Sequence, residues 1–304
     1  MEEDFIVEEI IKLKRSNGKY LYVKLVKKSW NTIDVIDSIS KRLGINKKNI
    51  GYAGLKDKNA ITTQYISLLN VNIEQINKIK IKDVSLEPLF YGDRAIRLGD
   101  LTGNKFKIKV DFKPKKIDFC ENYFGEQRFG GNNFEVGKAL LKEDFKTALE
   151  LIGIKYENKD YMKYLRKIDR RLLSLYVNSV QSYFWNKVVC EYIKKNYKYY
   201  KEKDELVFVD KIKDNFSIPL IGFDVEFKDK FVEKTYLELL NEEGLKIEDY
   251  VMRKLHEIMP ISVERNVFIK IKNFKYNKDY ISFELPKGSY ATTVLKKLES
   301  FLSS

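Results

Sequence analysis

Period-two alternation at both ends of the chain, with a long helical period between them, most limits what this sequence can fold into. Leu21, Val23 and Leu25 alternate with Tyr20, Tyr22 and Lys24, so residues 19–28 read as a strand. Residues 32–43 read as an amphipathic helix, with Ile33, Ile36, Ile39 and Leu43 on one face, Asn31 or Thr32 as cap and Gly44 as stop. Residues 62–68 follow as a strand. In 104–111, Phe106, Ile108 and Val110 point inward and Lys105, Lys107 and Lys109 outward. Helical periodicity dominates from about 145 to 195 and returns from 232 to 259. Alternation resumes over 267–273 and 280–285, a strand pair joined by a turn at Asn277-Lys278-Asp279, and a last helix spans 291–302. Strands at both ends of a helical block predict an α+β body interrupted by an inserted helical domain.

Composition removes several function classes. No apolar run approaches the ~20 residues a bilayer span requires. The acidic start, Met1-Glu2-Glu3-Asp4, is unlike a signal peptide, so a cytoplasmic protein is expected. The two cysteines, Cys120 and Cys190, read as reduced buried thiols. His256 is the single histidine, which rules out a two-histidine metal site and starves a Cys/His zinc site of ligands. It sits in a charged stretch and reads as a structural residue rather than a triad base. Neither G-x-G-x-x-G nor G-x-x-x-x-G-K-[ST] occurs, which argues against dinucleotide and P-loop chemistry. The formal charge of +13 suits a polyanionic partner, although a lysine-rich composition alone produces such an excess.

Two segments carry chemistry. In Gly51-Tyr52-Ala53-Gly54-Leu55-Lys56-Asp57-Lys58-Asn59-Ala60, an acid stands between two lysines, just after glycines and just before a strand. An exposed Lys-Asp turn would look the same. The functional alternative is a carboxylate kept ionised by neighbouring cations. In Asn122-Tyr123-Phe124-Gly125-Glu126-Gln127-Arg128-Phe129-Gly130-Gly131, aromatics, an amide, an arginine and glycines occur together. That set suits stacking a base and holding a phosphate, or a loop whose phenylalanines fill the core.

The segment G-L-K-D-K-x-A-x-T-x-Q at 54–64 resembles the signature of the TruD family of RNA pseudouridine synthases, and N-Y-F-G-x-Q-R-F-G at 122–130 resembles its second motif. Four more stretches resemble the family in the same order. They are Asp4-Phe5-Ile6-Val7-Glu8, the R-L-G-x-x-x-G-N-x-F run at 97–106, Gln181-Ser182-Tyr183-Phe184-Trp185-Asn186, and Leu285-Pro286-Lys287-Gly288-Ser289-Tyr290-Ala291-Thr292.

The resemblance implies a mixed, mostly antiparallel pseudouridine synthase sheet flanked by helices. The catalytic domain would span 1–147 and 263–304, with a mostly helical family-specific insertion at 148–262. It implies isomerisation of a uridine in tRNA, at position 13 of the D-arm, without metal or cofactor; a monomer is the default expectation. Asp57 is then the catalytic residue. Phe124 is expected against the target base, Phe5 near the site, and Asn122 on the base or the loop. Lys56 is expected beside substrate, and Arg128 on a phosphate or in a structural ion pair.

Three departures stand out. The family's lysine before the opening Glu-Asp-Phe has no counterpart in this sequence, so either another cation, Lys56 or Lys24, substitutes or the natural start lies further upstream. The closing helix reads Leu295-Lys296-Lys297-Leu298, and an expected glycine-arginine pair is replaced by Ser262-Val263-Glu264-Arg265. The competing readings are an RNA-binding protein or tRNA chaperone on the same fold, and a Rossmann-type RNA methyltransferase, which would depend on S-adenosylmethionine and lacks the glycine-rich loop.

Overall fold

The alternating and helical segments fold, in a computed structural model that describes residues 2–201 and 206–302, into fourteen strands and eight α-helices among the described residues. Along the chain these are β1 (Phe5–Ile11), β2 (Tyr20–Lys28), α1 (Thr32–Leu43), β3 (Ile50–Tyr52), β4 (Ile61–Leu69), α2 (Ile73–Asn77), β5 (Val84–Gly92) and β6 (Leu101–Lys109). Next come β7 (Phe119–Glu121), α3 (Asn133–Leu141), α4 (Phe145–Ile152), α5 (Tyr161–Leu165), α6 (Arg170–Asn196), β8 (Tyr199–Lys201) and β9 (Val207–Val209). The chain ends with β10 (Ser217–Leu220), α7 (Lys230–Glu242), β11 (Val263–Asn266), β12 (Phe268–Lys270), β13 (Lys272–Asn277), β14 (Tyr280–Pro286) and α8 (Ala291–Ser300). One compact unit comprises Met1–Phe119 and Lys270–Ser289; the other comprises Cys120–Ile269 and Tyr290–Ser304.

The first unit is built on an eight-stranded sheet of order β13-β14-β6-β1-β4-β2-β5, with β3 beside β4. β1 and β4 run parallel, and the other pairings in this sheet are antiparallel. The mixed, mostly antiparallel sheet expected from the resemblance is therefore present. Leu21, Val23 and Leu25 of β2 and Ile66 and Leu68 of β4 pack against Val35, Ile36 and Ile39 of α1. Each fully buried side chain of this kind contributes about 1.5–3 kcal/mol. Tyr22 lies on the opposite face with Ala53 and Ile96, so β2 is covered on both sides. α1 has the expected bounds and ends on Gly44 in the left-handed conformation, φ 64°. Asn31 occupies the N-cap position, but its side chain bonds Asp34 instead of an orphan amide.

Three details differ from the sequence reading. β5 carries Pro88, which hides its alternation, and it lies at the sheet edge, where a proline is tolerated. The strand read over 267–273 is two strands. β12 pairs with β7, and β13 forms the hairpin with β14, closed by Lys278 and Asp279 at φ 46° and 66°. Continuous helix from 232 to 259 stops at Glu242, because Gly244 takes φ 62° and short 3₁₀ turns follow.

The second unit surrounds α6, a 27-residue helix with Val177, Val180, Phe184, Trp185, Val188, Val189 and Ile193 fully buried. A helix buried on most sides is a core element. Gly137 lets α3 approach α6, since a Cβ there would meet the Tyr176 carbonyl oxygen at 2.1 Å. In α8, Lys297 makes a fully buried ion pair with Glu121, Nζ to Oε2 3.1 Å, and the Val209 amide donates to the same carboxylate at 2.8 Å. Burial pushes the Glu121 carboxyl up, opposed by Lys297 and the amide. Both cysteines are buried thiols outside any disulfide, and Cys190 Sγ lies 3.4 Å from the Tyr123 hydroxyl.

Breaking a buried pair leaves a charge without its partner, so Lys297→Met is expected to lower unfolding free energy by about 3–5 kcal/mol. Adding Glu121→Gln to it should restore part of that loss, as read by urea titration.

Candidate active site

In the first unit the site grows from one end of the large sheet. The inward row of β2 runs Leu21, Val23, Leu25 and then Lys27, which is fully buried. Across the register Lys27 faces Thr62, and Leu25 faces Gln64. Glu9 continues the inward row of Val7 on β1 and is 2% exposed. The aliphatic face of the sheet thus becomes polar at the end where the loop between β3 and β4 crosses it. Because β1 and β4 are parallel, Phe5 begins its strand at this same end, half-buried, with its ring edge-on to Phe106 at 6.3 Å.

The loop carrying Asp57 is tied through its main chain. The Lys27 ammonium donates to the carbonyl oxygens of Trp30 (2.6 Å), Asp57 (2.8 Å) and Lys56 (3.3 Å). The Lys56 amide donates to the Thr32 hydroxyl at 3.0 Å, and that hydroxyl donates to Gln64 Oε1 at 3.0 Å. Lys56 Nζ reaches Glu9 Oε1 at 2.8 Å, and the second Glu9 oxygen accepts from the Tyr65 amide. Ala53 and Ala60 are buried on either side, whereas Asp57 itself is exposed. Gly51 is required by close packing, since a Cβ would meet the Ile96 carbonyl oxygen at 2.3 Å. Its role is thus toward its own chain.

This geometry sorts the cations. Lys56 is 7% exposed at its side chain and committed to Glu9. Lys24 lies 3.6 Å from Glu87. Lys27, which the sequence reading did not single out, holds the loop and has an attractive electrostatic interaction with Asp57. Burial lowers its pKa to about 8, Asp57 opposes that fall and Lys56 adds to it. The available signal was the strand period, which puts position 27 on the same face as 21, 23 and 25.

In the second unit Asn122 is 7% exposed. Its amide nitrogen donates to the Asn266 carbonyl at 3.0 Å, and its Oδ1 accepts from Arg265 at 2.8 Å. Arg265 also donates to the Asn122 main-chain oxygen. The guanidinium lies over the Phe124 ring at 4.0 Å, with Arg128 5.4 Å from the same ring. Phe124 is 6% exposed, edge-on to Trp185 and Tyr290. Burial lowers Arg265 to about 10, with Tyr290 opposing and Arg128 adding to the fall. Arg128 donates to the Ser182 hydroxyl at 3.1 Å. A cavity of about 420 Å³ opens beside Phe124, lined also by Phe129, Tyr183, Lys187, Lys194 and Lys296. Aromatic faces next to cations suit a nucleobase and its phosphate. Arg265, noted in the sequence only as a departure, is the hub of this group.

The structure thus brings Phe5, Lys56 and Asp57 together in one unit, and Asn122, Phe124 and Arg128 in the other. His256 is solvent-exposed and has no part in either group. Among the described residues no helix is long and apolar enough to cross a membrane.

Comparison with known proteins gives these groups a context. The family profile described as "tRNA pseudouridine synthase D (TruD)" matches residues 1–157, 150–217 and 207–298. The tRNA pseudouridine synthase D of Aquifex aeolicus is 31% identical across 97% of this chain and 96% of its own length. That alignment extends over 370 positions against 304 residues here, so the relative carries internal stretches this chain lacks. A relative from Thermococcus sibiricus named for the same activity is 30% identical across 97% of this chain and 93% of its own. A crystal structure from Methanosarcina mazei, assigned to tRNA pseudouridine synthase D, superposes with a TM-score of 0.69 at 25% identity, covering 98% of this chain and 92% of that one. Matched along nearly its whole length, the chain belongs to the tRNA pseudouridine synthase D (TruD) family.

Proposed function

We propose that this pseudouridine synthase acts on tRNA, isomerising a D-arm uridine at position 13 with Asp57 as its catalytic residue and no cofactor. The observation that carries this reading is the Asp57 loop, an exposed carboxylate on a main chain fixed by Lys27, Thr32 and Lys56. The reaction breaks the N1–C1′ bond and joins C5 to C1′, while N1 gains a proton and C5 loses one. The product is an isomer, so neither an oxidant nor a group donor is consumed. Asp57 either attacks C1′ or removes a ribose proton, and both routes use the ionised carboxylate.

The target base must leave its stack, at a cost of a few kcal/mol, roughly what pocket contacts return. Phe124 is assigned to the base and Phe5 to the surroundings of Asp57. With Arg265 over one face of the Phe124 ring, a base meets that face only where Arg265 yields, and otherwise the part of the ring that lines the cavity. Asn122 keeps the loop in register, since its side chain is committed to Arg265 and Asn266. Arg128, whose side chain meets the Ser182 hydroxyl and the Phe124 ring, is assigned to a phosphate, and Lys56 acts through Glu9 and the loop. Residues 1–147 and 263–304 are taken as the catalytic domain and 148–262 as the insertion that recognises tRNA shape. The enzyme is taken as a cytoplasmic monomer.

Unmodified tRNA incubated with the protein alone should acquire pseudouridine at the D-arm uridine, mapped by carbodiimide treatment and primer extension. Asp57→Ala should lower the rate by at least about 10²–10⁴-fold. Because Asp57 is exposed, the unfolding free energy of the variant, read by urea titration, should stay within about 0.5 kcal/mol of wild type. An active, folded Asp57→Ala would refute the assignment. Arg128→Ala should weaken tRNA binding for all sequences and reduce the slope of log K against log salt by about 1. An unchanged slope would place Arg128 in a purely structural role.

A further inference from the structure

A lysine at the fourth inward position of β2 is the least expected residue in the first unit. Leu21, Val23 and Leu25 precede it on the same face, and each is fully buried in the core under α1. An aliphatic side chain would complete that row without the desolvation penalty of an ammonium group. Lys27 is instead fully buried, and its Nζ meets three main-chain carbonyl oxygens within 2.6–3.3 Å. An ammonium has three N–H groups, one for each acceptor. Two of the acceptors belong to Lys56 and Asp57 themselves, and the third, from Trp30, anchors the arrangement to the turn between β2 and α1.

We propose that Lys27 is a positioning residue for the isomerisation. Its ammonium locks the main chain of Lys56 and Asp57 and supplies the fixed positive charge beside the Asp57 carboxylate. The inference rests on the assignment of Asp57 as catalytic. It also places the site's buried cation on β2, while Lys56 is neutralised by Glu9.

The charged form is the one that fits. A neutral amine has two N–H groups and a lone pair, so deprotonation turns one of the three carbonyl contacts into a repulsion. The charged groups facing Lys27 are Asp57 and Lys56, both from the loop laid across it, and the Trp30 contribution is a neutral carbonyl. With the pKa lowered to about 8, the ammonium is lost at mildly alkaline pH.

The sign of the stability change separates a catalytic from a merely structural role. Between about 8 and the ordinary lysine value of 10.5, the unfolded chain holds this proton and the native protein does not. Stability from this group therefore rises with pH across that window. A positioning role predicts the opposite trend in rate, falling above about pH 8 while stability holds or rises.

The test measures single-turnover rates on tRNA, tRNA affinity and urea midpoints for wild type, Lys27→Met and Asp57→Ala. Lys27→Met is expected to bind tRNA as wild type does and to lose about 10²-fold in rate, the scale of a misplaced reacting group. A folded Lys27→Met whose rate lies within about threefold of wild type overturns the proposal. If Lys27→Met does not fold, the wild-type profile decides. A rate that falls above about pH 8 with an undiminished urea midpoint supports the role, and a rate that stays level to about pH 9 overturns it. Asp57→Ala distinguishes the two assignments. If it is inactive while Lys27→Met is fully active, only the Lys27 proposal fails; if it is active, the catalytic assignment fails and Lys27 loses its role with it.

Discussion

The contact between the Lys27 ammonium and three carbonyl oxygens governs how the first unit ends. Along most of β2 and β4 the inward face is aliphatic, and hydrophobic burial under α1 orders it. At the last rungs that driving force stops, because Lys27, Thr62 and Gln64 occupy the positions where Leu, Val or Ile would sit. Order there has to come from directed polar bonds. The loop over this end cannot be anchored through the Asp57 side chain without removing that exposed carboxylate from solvent. Its neighbours anchor it through carbonyls on Lys27, the Lys56 amide on Thr32 and the Lys56 ammonium on Glu9. The main chain is thereby fixed and the carboxylate left open, which is the arrangement preorganised catalysis requires.

The second unit solves a related problem with arginine. Asn122 and Phe124 sit on an irregular stretch just after β7, where no regular strand or helix holds the backbone. Arg265 replaces that missing ladder by donating to both oxygens of Asn122 while its planar face covers Phe124. A lysine could not do both, since it lacks the fork and the flat face. The cost is a cation in a buried place, visible in the lowered Arg265 pKa of about 10. The Glu121–Lys297 pair, one residue before Asn122, pins the entry to the same stretch from α8. Buried charges are tolerated here because each has directed partners.

Much of this was legible in the sequence where period and chemistry agree. The α1 bounds and the inward Phe106, Ile108 and Val110 follow from spacing alone. Legibility failed where one residue obeys the period and breaks the composition. Lys27 and Glu9 hold inward positions, yet a charged residue on a strand is taken for a solvated one unless its row is followed to the end. Pro88 concealed β5 for the reverse reason, since an edge strand tolerates a residue that a central strand rejects. Arg265 was beyond reach because Asn122, which it bonds at both oxygens, lies 143 positions away in sequence, and no local pattern encodes that contact.

The lysine row of β6 shows why charge is the least decisive feature of the sequence. Lys105, Lys107 and Lys109 point outward, as alternation demands, and resemble a track for phosphates. Each has a partner close by: Glu8 of β1 at 3.8 Å, the Tyr280 ring of β14 at 4.7 Å, and Asp4, in the 3₁₀ turn before β1, at 4.0 Å. Such exposed, long contacts hold the sheet weakly, because water screens them and both side chains lose freedom to keep them. A phosphate, which offers more charge and more acceptor oxygens, displaces a carboxylate from such a pair at little loss to the fold. The same screening that makes these pairs poor stabilisers therefore leaves the lysines open to exchange partners, so neither their number nor their outward direction decides what they bind.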